Sequence, residues 1–217
     1  LLIRYSDTAN SHFLYQKWNL PSIHGPLLET LISGRLRPEK IEEARKMIFG
    51  ELTENSFSIV AMNELAAEVN KIKGKTLASN LVVLQSSLGT KSQPSLKGCF
   101  LALEEIGERG YRVDRMLEHL WQSGILKGCL GIIFGDFLGG SEQDGQNFVK
   151  FALQRFADQN LLPCWNALEI GHGEKNRMLP CGTPSEISVI PNKDENNSLP
   201  SFRYTVQSPF FKEIGKD

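Results

Sequence analysis

The sequence has no apolar run approaching the ~18 residues that a membrane helix needs. It also has no excess charge of either sign: 24 Lys and Arg stand against 25 Asp and Glu, a formal net charge of -1. That balance excludes the basic footprint with which nucleic-acid-binding domains hold phosphate, and the long acidic block of a solvated tail. Neither nucleic acid nor a membrane is therefore expected as a partner. The four cysteines, Cys99, Cys129, Cys164 and Cys181, include no C-x-x-C pair, which points to buried free thiols and away from a disulfide framework. No second His or Cys stands at metal-ligand spacing from His172, so no zinc site is indicated. Repeats and low-complexity tracts are missing as well. There is no initiating Met, and the chain opens at Leu1 inside an apolar segment, as if cut within a domain.

What is present is ordinary globular material: 217 residues, 41% hydrophobic and 23% charged, enough for one large domain or two small ones with a sizeable core. Leu1 to Tyr5 is short, apolar and β-leaning, and runs into Ser6-Asp7-Thr8, residue types that favour turns and helix N-caps. This predicts a strand–turn–helix unit with its helix over Ala9 to Lys17, followed by a loop at Ile23-His24-Gly25-Pro26. Pro38 opens a second helix with Ile41, Ala44 and Met47 on one face and Gly50 past its end. Beyond it the pattern changes to short strands, Phe57 to Met62 and Glu68 to Ile72, which places a domain boundary near Phe49 to Asn55.

Asn80 is positioned to cap a helix running to Leu88. Cys99 to Leu103 and Leu130 to Phe134 read as buried strands. A helix over Asp114 to Gln122 carries Val113, Met116, Leu117, Leu120 and Trp121 on one stripe, and another is marked by Phe148, Val149, Ala152, Leu153 and Phe156. The tail, Glu186 to Val206, returns to strands around a polar loop at Asn192 to Ser198. Strands alternating with helices imply an α/β architecture, with a mixed sheet in the second part.

Three places could carry chemistry. Ser6 sits at a sharp strand-to-helix turn, where a hydroxyl is lifted clear of the backbone and helix N–H groups can stabilise an oxyanion; without flanking glycines the same position also suits a plain N-cap. Glu104 and Glu105 end an apolar strand, where a carboxylate can orient a histidine or stand solvated. His172 lies between two glycines, which suits an exposed proton-shuttling imidazole, and equally a surface loop.

Order and context join these places. Leu2-Ile3-Arg4-Tyr5-Ser6-Asp7-Thr8 followed by Ile23-His24-Gly25-Pro26 resembles the nucleophile segment of LD-carboxypeptidases. Gly98 to Leu117, with Leu103-Glu104-Glu105 and Tyr111-Arg112-Val113-Asp114-Arg115-Met116-Leu117, is similar to that family's catalytic-glutamate strand and the helix after it. Gly171-His172-Gly173 through Asn176 and Leu179-Pro180 is similar to its catalytic-histidine loop. Arg4 stands where the family has glycine, and Ala78-Ser79 where it has two glycines.

The resemblance implies a Ser6–Glu104–His172 triad with the Asp7 backbone N–H as one oxyanion donor, and no metal or organic cofactor. It implies a muropeptide tetrapeptide as substrate, cut ahead of its terminal D-alanine in cytoplasmic peptidoglycan recycling, and a homodimer. The fold implied is a remnant of a flavodoxin-like N-terminal domain over 1–50, followed by a mixed-sheet swivelling β/β/α-type C-terminal domain over 51–217. Roughly a hundred further residues would precede the nucleophile, a normal domain complement. They would include a glycine-rich loop with the second oxyanion donor, so this chain alone is expected to be poorly active. Alternatives are a hydrolase of the microcin C self-immunity type, which cuts an aminoacyl-nucleotide-like amide, a muropeptide-binding remnant with an unassembled triad, and a cysteine hydrolase using Cys164 or Cys181.

Overall fold

A computed structural model describes residues 2–26, 28–34, 36–167, 169–190 and 200–210. Its first strand, β1 (Leu2–Arg4), runs parallel to β2 (Ser22–His24), and β2 runs antiparallel to β8 (Leu179–Cys181). Between β1 and β2 the chain makes a 3-10 turn over Ser6–Ala9 and the helix α1 (Asn10–Lys17). Two more helices follow, α2 (Leu28–Ile32) and α3 (Pro38–Ile48). The α3 helix has Pro at its first position and Gly50, at φ +72°, just past its end, as its sequence predicts.

The remaining strands close on themselves. They are β3 (Glu54–Ala61), β4 (Lys71–Asn80), β5 (Cys99–Ile106), β6 (Gly131–Leu138), β7 (Cys164–Asn166), β9 (Pro184–Val189) and β10 (Ser201–Gln207), in the barrel order β10-β3-β7-β6-β5-β4-β9. The run from β4 to β7 is parallel, with α5 (Leu81–Ser86), α6 (Gly110–Gln122) and α7 (Val149–Gln159) as crossovers; β3, β9 and β10 pair antiparallel. Parallel strands require such crossovers, and closure removes the exposed edges that invite foreign strands. The α/β reading with a mixed sheet holds, and the sheet is a barrel.

Alternation along each strand divides the apolar residues between two cores. On β5, Phe100 and Ala102 face the barrel interior with Phe57, Ile133, Trp165, Phe202 and Tyr204. Leu101 and Leu103 face outward against α5, α6 and α7, where Val113, Leu117, Leu120 and Phe156 close over them. All four cysteines are buried free thiols, and burial pushes Cys129 up to about 11 and Cys164 and Cys181 up to about 12. Burial thus disfavours the activated thiolate that a cysteine hydrolase needs.

Several local expectations are corrected. Ile23 and His24 are strand, not loop: all three β2 residues are buried between β1 and β8, and three residues are too short to show a period. The strand expected from Glu68 does not start there: Glu68 to Asn70 lies outside it. Asn63 accepts from the Ala66 N–H at 3.0 Å and starts a short helix, α4 (Glu64–Ala67), so the strand begins only at Lys71 and extends to Asn80. Asn80 caps α5 as expected, accepting from Val83 N–H at 3.2 Å, but α5 stops at Ser86 and not at Leu88. The α6 helix starts a turn earlier than expected, at Gly110. The predicted polar loop at Asn192 to Ser198, and Leu1 of the first strand, lie outside the described residues.

The first fifty residues are tied to the rest by charge as well as by β8. Arg177 bonds Glu43 at 2.6 Å, Glu169 at 2.9 Å and the Ser56 carbonyl at 2.6 Å, and its guanidinium lies 4.6 Å from the Phe57 ring centroid. Lys40 meets the same two carboxylates, Glu169 at 3.1 Å and Glu43 at 3.6 Å. Arg37 bonds Glu174 at 2.6 Å. The effect is to clamp α3 against the segment before β8, which carries His172.

Candidate active site

Ser6 follows β1, Glu104 and Asp136 each lie two residues before the carboxyl end of β5 and β6, and His172 lies in the segment after β7. In parallel α/β sheets ligands bind beyond the carboxyl ends of the strands, and this is where these side chains gather.

At Ser6 the chain turns sharply. Tyr5 is extended (φ -159°, ψ 158°) and Ser6 has φ +51°, a left-handed conformation uncommon for a residue with a Cβ. A strained serine between a strand and a helical turn is the geometry of a nucleophile elbow. Thr8 holds the turn: its hydroxyl donates to the Tyr5 carbonyl at 2.8 Å and accepts from the Tyr5 N–H at 3.4 Å. Asp7 lies exposed in the first turn, where backbone N–H groups lack intrahelical partners. Arg4 is exposed on β1, so its side chain does not crowd the turn.

The two glutamates at the end of β5 have separate tasks. Glu104 is fully buried, and its Oε2 receives His172 Nδ1 at 2.6 Å. Burial raises the Glu104 pKa from its ordinary value, opposed by the bond to His172. Glu105 turns the other way and serves the start of α5: it accepts from Asn80 Nδ2 at 2.9 Å, from Val82 N–H at 3.0 Å and from Ile106 N–H at 2.9 Å. The local pattern left the pair open and only the resemblance pointed to Glu104; strand alternation separates them, with a register shift between Leu103 and Glu105.

The loop around His172 is built by close backbone approach. A Cβ on Gly135 would stand 2.2 Å from the Ile170 carbonyl oxygen, and one on Gly171, at φ +135°, would stand 2.5 Å from Asp136 Cβ. Asp136 accepts from Gly173 N–H at 3.0 Å, and Asn176 N–H donates to the Gly173 carbonyl at 3.1 Å. Partial burial raises the Asp136 pKa. Asp136 was not foreseen, and an aspartate two residues past an apolar strand run was its only signal.

His172 is thus joined to Glu104. Among the described hydrogen bonds none joins it to Ser6. The link to the serine turn is by packing, with the ring centroids of Tyr5 and His172 4.4 Å apart. Behind this pair lie two more buried histidines, His24 and His12, with ring centroids 5.5 Å apart. His24 was quoted in a motif without a role, and His12 was not singled out at all.

His12 bonds Ser22 Oγ through Nδ1 at 2.8 Å, and burial lowers its pKa to about 4. Between pH 6.5 and pH 4 the unfolded chain binds a proton at His12 that the folded chain does not, so stability falls as pH falls. His12 alone accounts for about 3 kcal/mol over that window. The raised carboxylates Glu104 and Asp136 act in the opposite sense. His12→Gln is therefore expected to flatten the acid limb of stability relative to the parent protein, measured by denaturant unfolding at a series of pH values. Parallel limbs would remove His12 from the account.

Fold and site together define an α/β protein with a histidine–carboxylate pair and a strained serine at the carboxyl ends of its strands. The chain belongs to the LD-carboxypeptidase family of peptidases: residues 73–187, more than half of it, match the family's C-terminal domain. A Rickettsia conorii protein classed with the carboxypeptidases is 32% identical over 187 residues, covering 85% of this chain and 58% of that one. The chain spans 58 to 60% of the length of the curated relatives it matches.

Among solved structures, the muramoyltetrapeptide carboxypeptidase of Oxalobacter formigenes superposes with a TM-score of 0.78 at 23% identity, over 95% of this chain and 68% of that one. The microcin C7 self-immunity protein MccF bound to glutamyl sulfamoyl guanosine superposes with a TM-score of 0.69 at 16% identity, over 98% and 68%. At those identities the likeness speaks for the fold. Among the described residues no helix is long and apolar enough to cross a membrane, and no group of three His, Cys, Asp or Glu side chains is arranged to hold a metal ion.

Proposed function

We propose that the site is a Ser–His–Glu hydrolytic triad that releases D-alanine from muropeptide tetrapeptides. The observation that carries this is the part-buried Glu104–His172 bond of 2.6 Å beside a serine held at φ +51°. In this reading Ser6 Oγ attacks the amide carbonyl, and His172 Nε2 takes its proton. Glu104 holds the imidazole in the Nδ1–H tautomer and stabilises it once charged. The Asp7 N–H supports the developing oxyanion. Collapse expels D-alanine, whose nitrogen receives the proton from His172, and water then hydrolyses the acyl-enzyme by the reverse proton route.

The substrate follows from the family and from the activity named for its Oxalobacter relative. The bond cut is that between the L-centre of the third, diamino residue and the terminal D-alanine. A cytoplasmic setting in peptidoglycan recycling, a homodimer, and a glycine-rich loop upstream of Leu1 giving the second oxyanion donor complete the proposal. The 1–50 and 51–217 division belongs to it too, with β8 and Arg177 bridging the two parts.

A second reading, hydrolysis of an aminoacyl-nucleotide amide, is favoured by the superposition on the immunity protein. It would call for an aromatic side chain at the site to stack on a base. Trp165 is sealed inside the barrel, Trp18 is exposed beside Tyr15, and the aromatic ring recorded against His172 is the buried Tyr5. The test is a hydrolysis panel on the protein as its gene encodes it, comparing a cell-wall tetrapeptide with an aminoacyl sulfamoyl adenylate. Release of D-alanine with little cleavage of the adenylate is expected. The opposite preference would transfer the assignment to the immunity type, and calorimetric binding of tetrapeptide without turnover would leave a binding protein.

A further inference from the structure

Among the described residues only one of the two Glu104 oxygens is bonded: Oε2 receives His172, while Oε1 is buried with no hydrogen-bond partner. Facing Oε1 at 3.7 Å is Nε2 of His24, whose own two ring nitrogens are buried and equally without partners among those residues. Two complementary buried orphans so close are about half an ångström outside the range in which they would satisfy one another. We infer that His24 is a positioning residue for the Glu104 carboxylate: its Nε2–H donates to Oε1, so that Glu104 is held between two imidazoles with Oε2 aimed at His172 Nδ1. The inference rests on the triad reading of Glu104 and His172.

The fold gives His24 little freedom to do otherwise. It sits on β2, the central strand of the small sheet, opposite Arg4 on one side and Leu179 on the other. The next residue is pinned as well: Gly25 N–H donates to the Arg4 carbonyl at 3.3 Å, and a Cβ on Gly25 would stand 2.9 Å from Met178 Cα. Tyr5 packs edge-on against the ring with centroids 5.1 Å apart, and His12 packs from α1. The ionisable groups around it are therefore Tyr5 from the serine turn, His12 from α1, Glu104 from β5 and His172 from its loop. Burial foremost, then His12 and His172, holds the His24 pKa well below its usual value, so the ring is neutral. A neutral imidazole has one N–H to give, and which nitrogen carries it decides the interaction.

This assigns to β2 a function in the site. A triad needs its orienting carboxylate fixed, and a buried carboxylate with one free oxygen can rotate or take up a proton. Donation from His24 opposes both, and it couples the small sheet, which carries Ser6, to the barrel, which carries Glu104.

The test has an arm that needs no turnover. In the protein as its gene encodes it, with nitrogen-15 in its histidines, long-range nitrogen–proton correlation reads each tautomer directly. His24 is expected as the Nε2–H tautomer throughout the neutral range. The Nδ1–H tautomer, with a bare Nε2 facing Glu104, would overturn the inference. In the kinetic arm, His24→Leu is expected to lower kcat about tenfold with KM unchanged, and His24→Gln, whose amide nitrogen can still donate, to recover most of the loss. If His24→Leu matches the parent in kcat, or if Gln is no better than Leu while both fold, the inference fails. Failure of the triad reading would register separately, as full turnover in Glu104→Gln and His172→Ala, with the tautomer result unaffected.

Discussion

Ser6→Ala and His172→Ala are each expected to reduce D-alanine release by on the order of 10⁵- to 10⁶-fold, while Glu104→Ala falls by about 10⁴-fold and keeps more residual activity. The ordering has a physical basis. In the proposed triad Ser6 supplies the bond-forming atom and His172 moves the proton at two steps, so the loss of either would leave the other without a task. Glu104 would do neither; its proposed part is to fix the His172 tautomer and balance a charge that exists only in part of the cycle. Residual activity should remain in every variant from oxyanion donors and binding, and double variants should be no worse than the worst single. The measurement is D-alanine release from tetrapeptide under single-turnover conditions. Parent-like turnover in Ser6→Ala would remove the proposed nucleophile, and equal losses at all three positions would remove the distinction drawn for Glu104.

The next largest effect is expected from a residue with no functional group. Gly171→Ala puts a Cβ 2.5 Å from Asp136 Cβ at a backbone angle, φ +135°, that residues with a Cβ avoid. Relief requires the loop to move away from β6, and His172 rides on that loop, one residue further on. Strain and overpacking together are expected to cost about 1–3 kcal/mol of stability. Displacing the imidazole by about 1 Å should cost about 100-fold in kcat/KM. Gly145→Ala serves as the control, because Gly145 also has positive φ, at +84°, but among the described residues nothing lies within 4 Å of its Cβ position. It should lose a little stability and no activity. Unchanged kcat/KM in a folded Gly171→Ala protein would show that the tight seat of the loop on Asp136 is not what positions His172.

Much of this arrangement was legible in the chain, and the parts that were not share a cause. Long apolar periods gave α6 and α7, the Asn80 cap gave the start of α5, and the Pro38 and Gly50 pair gave α3, because each signal is local. The strands β2, β7 and β8 went unseen, since three residues cannot establish a period and their partners are distant in sequence. Barrel closure was hidden for the same reason: it depends on β10 pairing with both β3 and β9.

At the site, Ser6, Glu104 and His172 were picked out only when their order was compared with a family. Their own local patterns suit an N-cap, a solvated carboxylate and a surface loop equally well. Strand alternation then explains why Glu104 and not Glu105 meets His172. Asp136 and His12 had no motif to announce them, and Tyr5 and His24 stood in motifs that gave them no role, because their importance lies in burial and in facing one another across elements far apart in the chain.

The central claim is that Ser6 is the nucleophile and that His172 activates it. The most direct test is active-site labelling with a fluorophosphonate, which reacts with activated serines, followed by peptide mapping by mass spectrometry on the protein as its gene encodes it. The account predicts a single stoichiometric adduct on Ser6, loss of D-alanine release in proportion to labelling, and no adduct in the His172→Ala protein. Tetrapeptide hydrolysis that continues with Ser6 fully modified, or inactivation accompanied by an adduct on any other residue, would contradict it.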